Sequence, residues 1–201
     1  MLKTLSFSSL LVLALVIVSC HKSNVGGNSA QLVGNYQFLY LSAQVQSISQ
    51  ASGGGQTQKA VTYSNYKTTQ NTGTVTLTAD SLASKGVGYT AAFTSLTYEY
   101  VNGVLTDSIS FPFSLTYPPS STSTKYDVIG QDSIYFHGGY LVSGFGGGST
   151  LAPPSGGHFS FKGDTLFITS HVNQTTPPQN SGGISVTGSE SGVATIALLK
   201  H

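Results

Sequence analysis

The dipeptide Asn102-Gly103 does most to restrict what this chain can become. A two-residue type I′ turn needs positive φ at both central positions, and Asn-Gly meets that need, so the pair predicts a β-hairpin. The turn sets a register that starts with Val101 opposite Val104 and Tyr100 opposite Leu105. Continued without interruption, it puts Ala92, Thr94, Leu96, Tyr98 and Tyr100 on one face, opposite Phe113, Phe111, Ile109, Asp107 and Leu105. The other face carries Ala91, Phe93, Ser95, Thr97 and Glu99, opposite Ser114, Pro112, Ser110, Ser108 and Thr106. A slip of one residue would mix the two sets, so the apolar pattern supports the register that the turn suggests. Pro112 cannot donate a ladder hydrogen bond and marks a bulge or a sheet edge. Arms of roughly twelve residues, against a common ~5–6, favour a bent antiparallel barrel, with a β-sandwich as the alternative.

The rest of the chain follows the same pattern. Short runs of Thr, Val, Tyr, Ile and Phe, punctuated by Gly, Asn, Asp and Pro, predict nine to eleven strands and no helix. Further strands are expected at Tyr36–Val45, Val61–Thr68, Thr74–Thr78, Tyr126–Ile129, Ser133–Phe136, His158–Lys162, Thr165–Val172, Gly183–Gly188 and Gly192–Leu199. Loops are expected at Ser49–Gln58, Tyr117–Thr124, Phe145–Gly157 and Asn173–Gly182. A recurring motif, Asp followed by Ser or Thr and then Leu or Ile, occurs at Asp80, Asp107, Asp132 and Asp164. Asp and Ser accept hydrogen bonds from backbone just downstream, so these sites read as turns that feed strands, with Asp107 fitting least well.

Charge excludes several functions. Charged residues make up only 7% of the 201 residues, against roughly 25% in ordinary soluble domains. The chain contains no arginine and its formal net charge is +1, which excludes an electrostatic nucleic-acid binder. No apolar run after Cys20 approaches the ~18 residues of a spanning helix. With 39% hydrophobic and 10% aromatic residues the chain can form a core.

The N-terminus reads as an address. Lys3 precedes the unbroken apolar stretch Leu10 to Val18, which ends in Ser19-Cys20. A segment this short reads as a secretory signal and not as a retained helix. The junction resembles the lipobox of bacterial lipoproteins. That resemblance implies cleavage after Ser19 and acyl chains on Cys20; an ordinary signal peptide that happens to contain a Cys is the alternative. Each buried methylene adds about 0.8 kcal/mol, so two or more chains anchor firmly. Residues 1–19 are then the signal peptide, 20–31 the lipidated Cys and a flexible tether, and 32–201 one β domain. Cys20 is the only cysteine, so the fold cannot depend on disulfides. In Bacteroidetes-type lipoproteins acidic residues after the Cys accompany surface export. Lys22, Ser23 and Asn24 depart from that pattern, so an outer-membrane lipoprotein facing the periplasm is expected over a surface-exposed one.

Within the domain, Leu32-Val33-Gly34-Asn35-Tyr36 resembles the opening Gly-x-Trp/Tyr of lipocalin-like (calycin-type) proteins, in which the aromatic plugs the closed barrel end. The hairpin at Gly163-Asp164-Thr165-Leu166 and the terminal Leu198-Leu199-Lys200 resemble the closing strands of such domains in Bacteroidetes lipoproteins. The resemblance implies an up-and-down β-barrel that binds a small apolar or amphipathic molecule, is not an enzyme and uses no cofactor. An envelope lipoprotein that contacts glycan or protein, without a small ligand, is the alternative. A monomer is expected.

Candidate sites follow. Barrels of about eight strands can hold one small ligand in a mostly apolar pocket. On the predicted register Tyr98, Tyr100, Phe111 and Phe113 share the apolar face and are the candidate ligand-binding residues. Tyr63, Tyr66, Tyr117, Tyr126, Tyr135 and Tyr140 either line half-buried sheet faces or contribute to a cavity mouth. His137, His158 and His171 match no short metal motif, and no metal site is expected. The run Gly144 to Ser149 lacks the Lys and helix of a phosphate loop and reads as a flexible loop. No Gly-x-Ser-x-Gly elbow occurs, and no catalytic residue is assigned.

Overall fold

A computed structural model describes residues 29–138 and 155–201; Cys20, Tyr140 and the Gly144–Ser149 run lie outside the described residues. A 3-10 turn, Ser29–Gln31, leads into nine strands: β1 Gly34–Gly53, β2 Gln56–Lys67, β3 Thr69–Leu77, β4 Ser81–Val101, β5 Val104–Ile129, β6 Ser133–Phe136, β7 Ser155–Lys162, β8 Thr165–Ser181 and β9 Ile184–Lys200. All neighbouring strands pair antiparallel. The expected all-β, up-and-down architecture is present. The strands of the Asn102-Gly103 hairpin run 21 and 26 residues.

The sheet closes on itself where β1 pairs with β9, from Tyr36 opposite Lys200 to Ser52 opposite Ser185. β2 and β3 both lie between β1 and β4, so they act as one broken strand and the nine strands fill eight positions of the ring. The break falls at Thr68. Its N–H donates to Leu41 O at 2.8 Å, while its Oγ1 accepts from Leu41 N at 2.9 Å and donates to Asn71 Oδ1 at 2.7 Å. The buried Thr68 side chain thus replaces a missing ladder acceptor. Thr68→Val keeps the shape and orphans the Leu41 N–H, at an expected cost of about 1–3 kcal/mol. Thermal unfolding should show the loss, and Thr68→Ser should recover most of it.

One end of the ring is sealed by its own side chains. Tyr36, Tyr126, Phe136, Leu32, Leu77, Leu82, Ile134, Leu166 and Leu198 are each less than 2% exposed. The Tyr36 hydroxyl donates to Leu32 O at 2.8 Å, and the Tyr126 hydroxyl donates to Thr78 O. The Asp motifs belong to this end. Asp80, Asp132 and Asp164 immediately precede β4, β6 and β8, and their carbonyls accept from Tyr126 N, Phe159 N and Lys200 N at 2.7–2.8 Å. Each turn therefore also ties down the next element around the ring. Asp107 lies inside β5 and takes no part.

Among the described residues, the other half is open. β6 pairs with β5 only over Tyr126 to Ile129, and β7 pairs with β8 only over Gly157 to Lys162. Beyond that level six strands continue as one curved sheet in the order β5-β4-β2-β1-β9-β8. Among the described residues, β5 and β8 there border a slot two strand positions wide, roughly 14 Å at the usual strand spacing. Three expected loops are instead strand: Ser49–Gln58, Tyr117–Thr124 and Asn173–Gly182 extend the hairpins. The connections need only Gly54-Gly55, Asn102-Gly103 and Gly182-Gly183, all with positive φ. Of the expected Phe145–Gly157 loop, residues 155–157 belong to β7 and the rest lies outside the described residues.

Candidate binding site on the open half

The Asn102-Gly103 turn forms as expected, with φ of 50° and 81°, and Val101–Val104 and Tyr100–Leu105 pair as the sequence suggests. The register then shifts by one, because Thr106 bulges and Glu99 pairs with Asp107. Thr106 Oγ1 donates to Glu99 O at 3.1 Å, and Asp107 Oδ1 accepts from Ser108 N at 2.7 Å, which holds the extra residue in place. One residue of shift reverses the facing of the remaining strand. Phe93 now lies opposite Phe113, Ser95 opposite Phe111, and Thr97 opposite Ile109. The candidate set is therefore split. Phe111 and Phe113 share the concave face with Phe93, whereas Tyr98 and Tyr100 lie on the convex face, where Tyr98 meets Tyr63 edge-on at 6.1 Å.

Two rows of aromatic rings cross the concave face from the wall to the slot. One runs Phe38, Tyr89, Tyr117, with centroids 6.1 and 5.3 Å apart; the other runs Tyr66, Phe93, Phe113, at 4.7 and 5.0 Å. Both begin buried on β1 or β2 and end on β5. Burial pushes Tyr89 up to about 12, with neighbouring Tyr117 adding to the rise. Tyr66 is held far above its ordinary value by burial, then by Tyr89 and Glu190. Sequence reasoning missed Tyr66, Phe93 and Tyr117 as partners of Phe113, because the unbulged register set Phe93 opposite Pro112.

Toward the open end most concave side chains of four strands become small: Ser47 and Ser49 on β1, Ser64 and Thr62 on β2, Ser95 and Thr97 on β4, and Gly192 and Gly188 on β9, with Glu190 between the two glycines. Their hydroxyls pair across strands, Thr62 with Thr97 at 2.8 Å and Ser64 with Ser95 at 3.1 Å. β5 departs from this trend. Ile109, Phe111, Phe113 and Leu115 follow one another along its concave side, each 41–44% exposed. A low floor faces an apolar lip, and a depression of about 300 Å³ opens at the hairpin tips between Ser49, Gln58, Ala60, Glu99 and Thr106, with the candidate Tyr100 also on its border.

The slot is guarded against strand addition. Five of the seven prolines lie on its two bordering strands: Pro112, Pro118 and Pro119 on β5, and Pro177 and Pro178 on β8. Among the described residues Pro112 sits on an edge, one of the two positions the sequence suggests. Prolines remove donors that an added strand would need. The opening is thus a poor template for further β-pairing, while β5 keeps its apolar row along the concave side.

Other candidates do not converge. His137, His158 and His171 lie on different strands or strand ends, and among the described residues no group of three His, Cys, Asp or Glu could hold a metal. Ser133 Oγ and Asp132 Oδ1 both approach His158 Nδ1, at 3.3 and 3.8 Å. A catalytic relay needs its acid and its nucleophile on opposite ring nitrogens, so this trio cannot act as one. Of the remaining tyrosines, Tyr126 is core and Tyr63 and Tyr135 face outward. Comparison with protein-family models, with curated proteins and with solved structures finds no match.

Proposed function

We propose that this chain is a lipid-anchored, lipocalin-like binding protein of the bacterial envelope, which takes one small apolar or amphipathic molecule on the concave face of its open half. The reading rests on the exposed row Ile109, Phe111, Phe113 and Leu115. Apolar area of this size is common on monomers, so its concave position behind a proline-guarded slot carries the argument. The four side chains leave roughly 300 Å² of apolar surface open, worth ~7 kcal/mol gross at ~25 cal/mol/Å². After the loss of ligand freedom that suits binding in the micromolar range or weaker. Anchoring through Cys20 in the outer membrane, facing the periplasm, is the second part of the proposal. It rests on the Ser19-Cys20 junction. Incorporation of labelled palmitate, abolished by Cys20→Ala, tests it.

Fluorescence titration of the full chain with an apolar probe tests the site. Saturable binding is expected. Phe111→Ser with Phe113→Ser should weaken it by about tenfold or more, since ~80 Å² of contact per ring is lost. Each ring is more than half covered and Phe113 packs on Phe93 at 5.0 Å, so some stability is lost as well, and circular dichroism at the assay temperature checks that the variant is folded. Equal binding by the double variant would refute the assignment.

A further inference from the structure

The charges of the open half are one-sided. Glu99, Asp107 and Glu190 all project onto its concave face: Glu99 pairs directly with Asp107, and Glu190 lies opposite Ser47 and Gln174. Through Ser47–Thr62, Thr62–Thr97 and Thr97–Ile109, Glu190 stands level with the distal end of the apolar row, one rung below the Glu99–Asp107 pair. The described lysines and histidines lie elsewhere. Lys59, Lys67, Lys85, Lys125 and Lys162 face outward, as do His158 and His171; His137 follows β6, and Lys200 covers Tyr36 at the sealed end, its Nζ 5.8 Å from the ring centroid. Lys59 borders the depression from the convex side and forms no ion pair with Glu99 or Asp107. Like charges placed directly across a ladder repel, and this pair has no basic partner among the described residues. Beside it begins an apolar row roughly 20 Å long, six steps from Ile109 to Leu115 at ~3.3 Å each.

Resting on the binding function proposed above, we infer that the preferred ligand is a cationic amphiphile, with its positive head between Glu99, Asp107 and Glu190 and its apolar body along Ile109, Phe111, Phe113 and Leu115. A cation there neutralises the Glu99–Asp107 repulsion, whereas an anion of equal chain length adds to it.

The test compares dodecyltrimethylammonium, dodecanol and dodecyl sulfate, each below its micelle concentration, as competitors for the apolar probe on the full chain. The cation should bind about tenfold or more tighter than the anion at low salt, and the gap should shrink as salt screens the exposed carboxylates. Glu99→Gln with Asp107→Asn should narrow the gap between cation and anion, and Glu190→Gln, on the opposite wall and away from the bulge, should narrow it as well. Equal affinity for all three heads, or preference for the anion, would overturn the charge assignment and leave the binding function standing. Failure of all three to displace the probe would bring down both.

Discussion

Gly192→Ala should force apart the seam that closes the barrel. A Cβ at Gly192 would lie 2.2 Å from Gln44 O and 2.9 Å from Val45 Cα, both backbone atoms of β1. Gly192 pairs with Val45 in the β1–β9 ladder that closes the ring, so the new atom can fit only if the seam parts. Overpacking of this kind costs about 3 kcal/mol, a large share of the ~5–15 kcal/mol that holds a domain together. Thermal unfolding should fall by about 6–12 °C. Gly156→Ala is the matched control. Among the described residues its Cβ would meet only Ile134 O, at 3.8 Å, and its φ is ordinary, so it should be neutral or mildly stabilising. Equal behaviour of the two variants would mean that the seam does not approach as described.

Alkaline pH should unfold the barrel through its buried tyrosines. Burial pushes Tyr89 and Tyr126 up to about 12, with Tyr117 adding to the first and Tyr36 and Asp80 to the second. Tyr36 and Tyr66 are raised by the same principal cause. In the unfolded chain these hydroxyls ionise near 10. Above pH 10 the unfolded chain therefore binds fewer protons than the folded one, and stability falls as pH rises. The contribution is whole below 10 and is withdrawn as pH passes through 12. A two-unit rise corresponds to about 2–3 kcal/mol for each of Tyr89 and Tyr126. Phenolate absorbance should rise in two stages, the second coinciding with loss of the β circular-dichroism signal. Tyr89→Phe removes one such proton and should move the midpoint to higher pH. Titration of all 11 tyrosines in one step near 10, with the fold intact, would contradict this.

Much of the architecture was legible because strand signals are local. Alternation in Thr165–Val172, the Asn102-Gly103 turn and the Asp-Ser/Thr starts of β4, β6 and β8 each depend on a few adjacent residues. Three features were not legible. The Thr106 bulge is stabilised by a hydrogen bond to Glu99 across the hairpin, and it reversed the facing of everything below it, Phe111 and Phe113 included. The Pro- and Gly-rich stretches read as loops because those residues disfavour inner strands. On the borders of a slot they sit in strand without penalty, a position that only the closed topology reveals. The break at Thr68 depends on Leu41, 27 residues away. Of the site, sequence reasoning located the apolar lip through Phe111 and Phe113 but gave it the wrong companions. The tyrosine rings that flank the lip come from Tyr66 and Tyr117, while Tyr98 and Tyr100 look outward.

The two faces of the β4–β5 hairpin therefore make opposite predictions for any apolar ligand. Isotope-filtered nuclear Overhauser contacts between dodecanol and the phenylalanine-labelled and tyrosine-labelled full chain separate them directly. Contacts to Phe111, Phe113 and Tyr117 are expected, with none to Tyr63 or Tyr98. Contacts confined to Tyr63, Tyr98 and Tyr100 would place the ligand on the convex face and contradict the account.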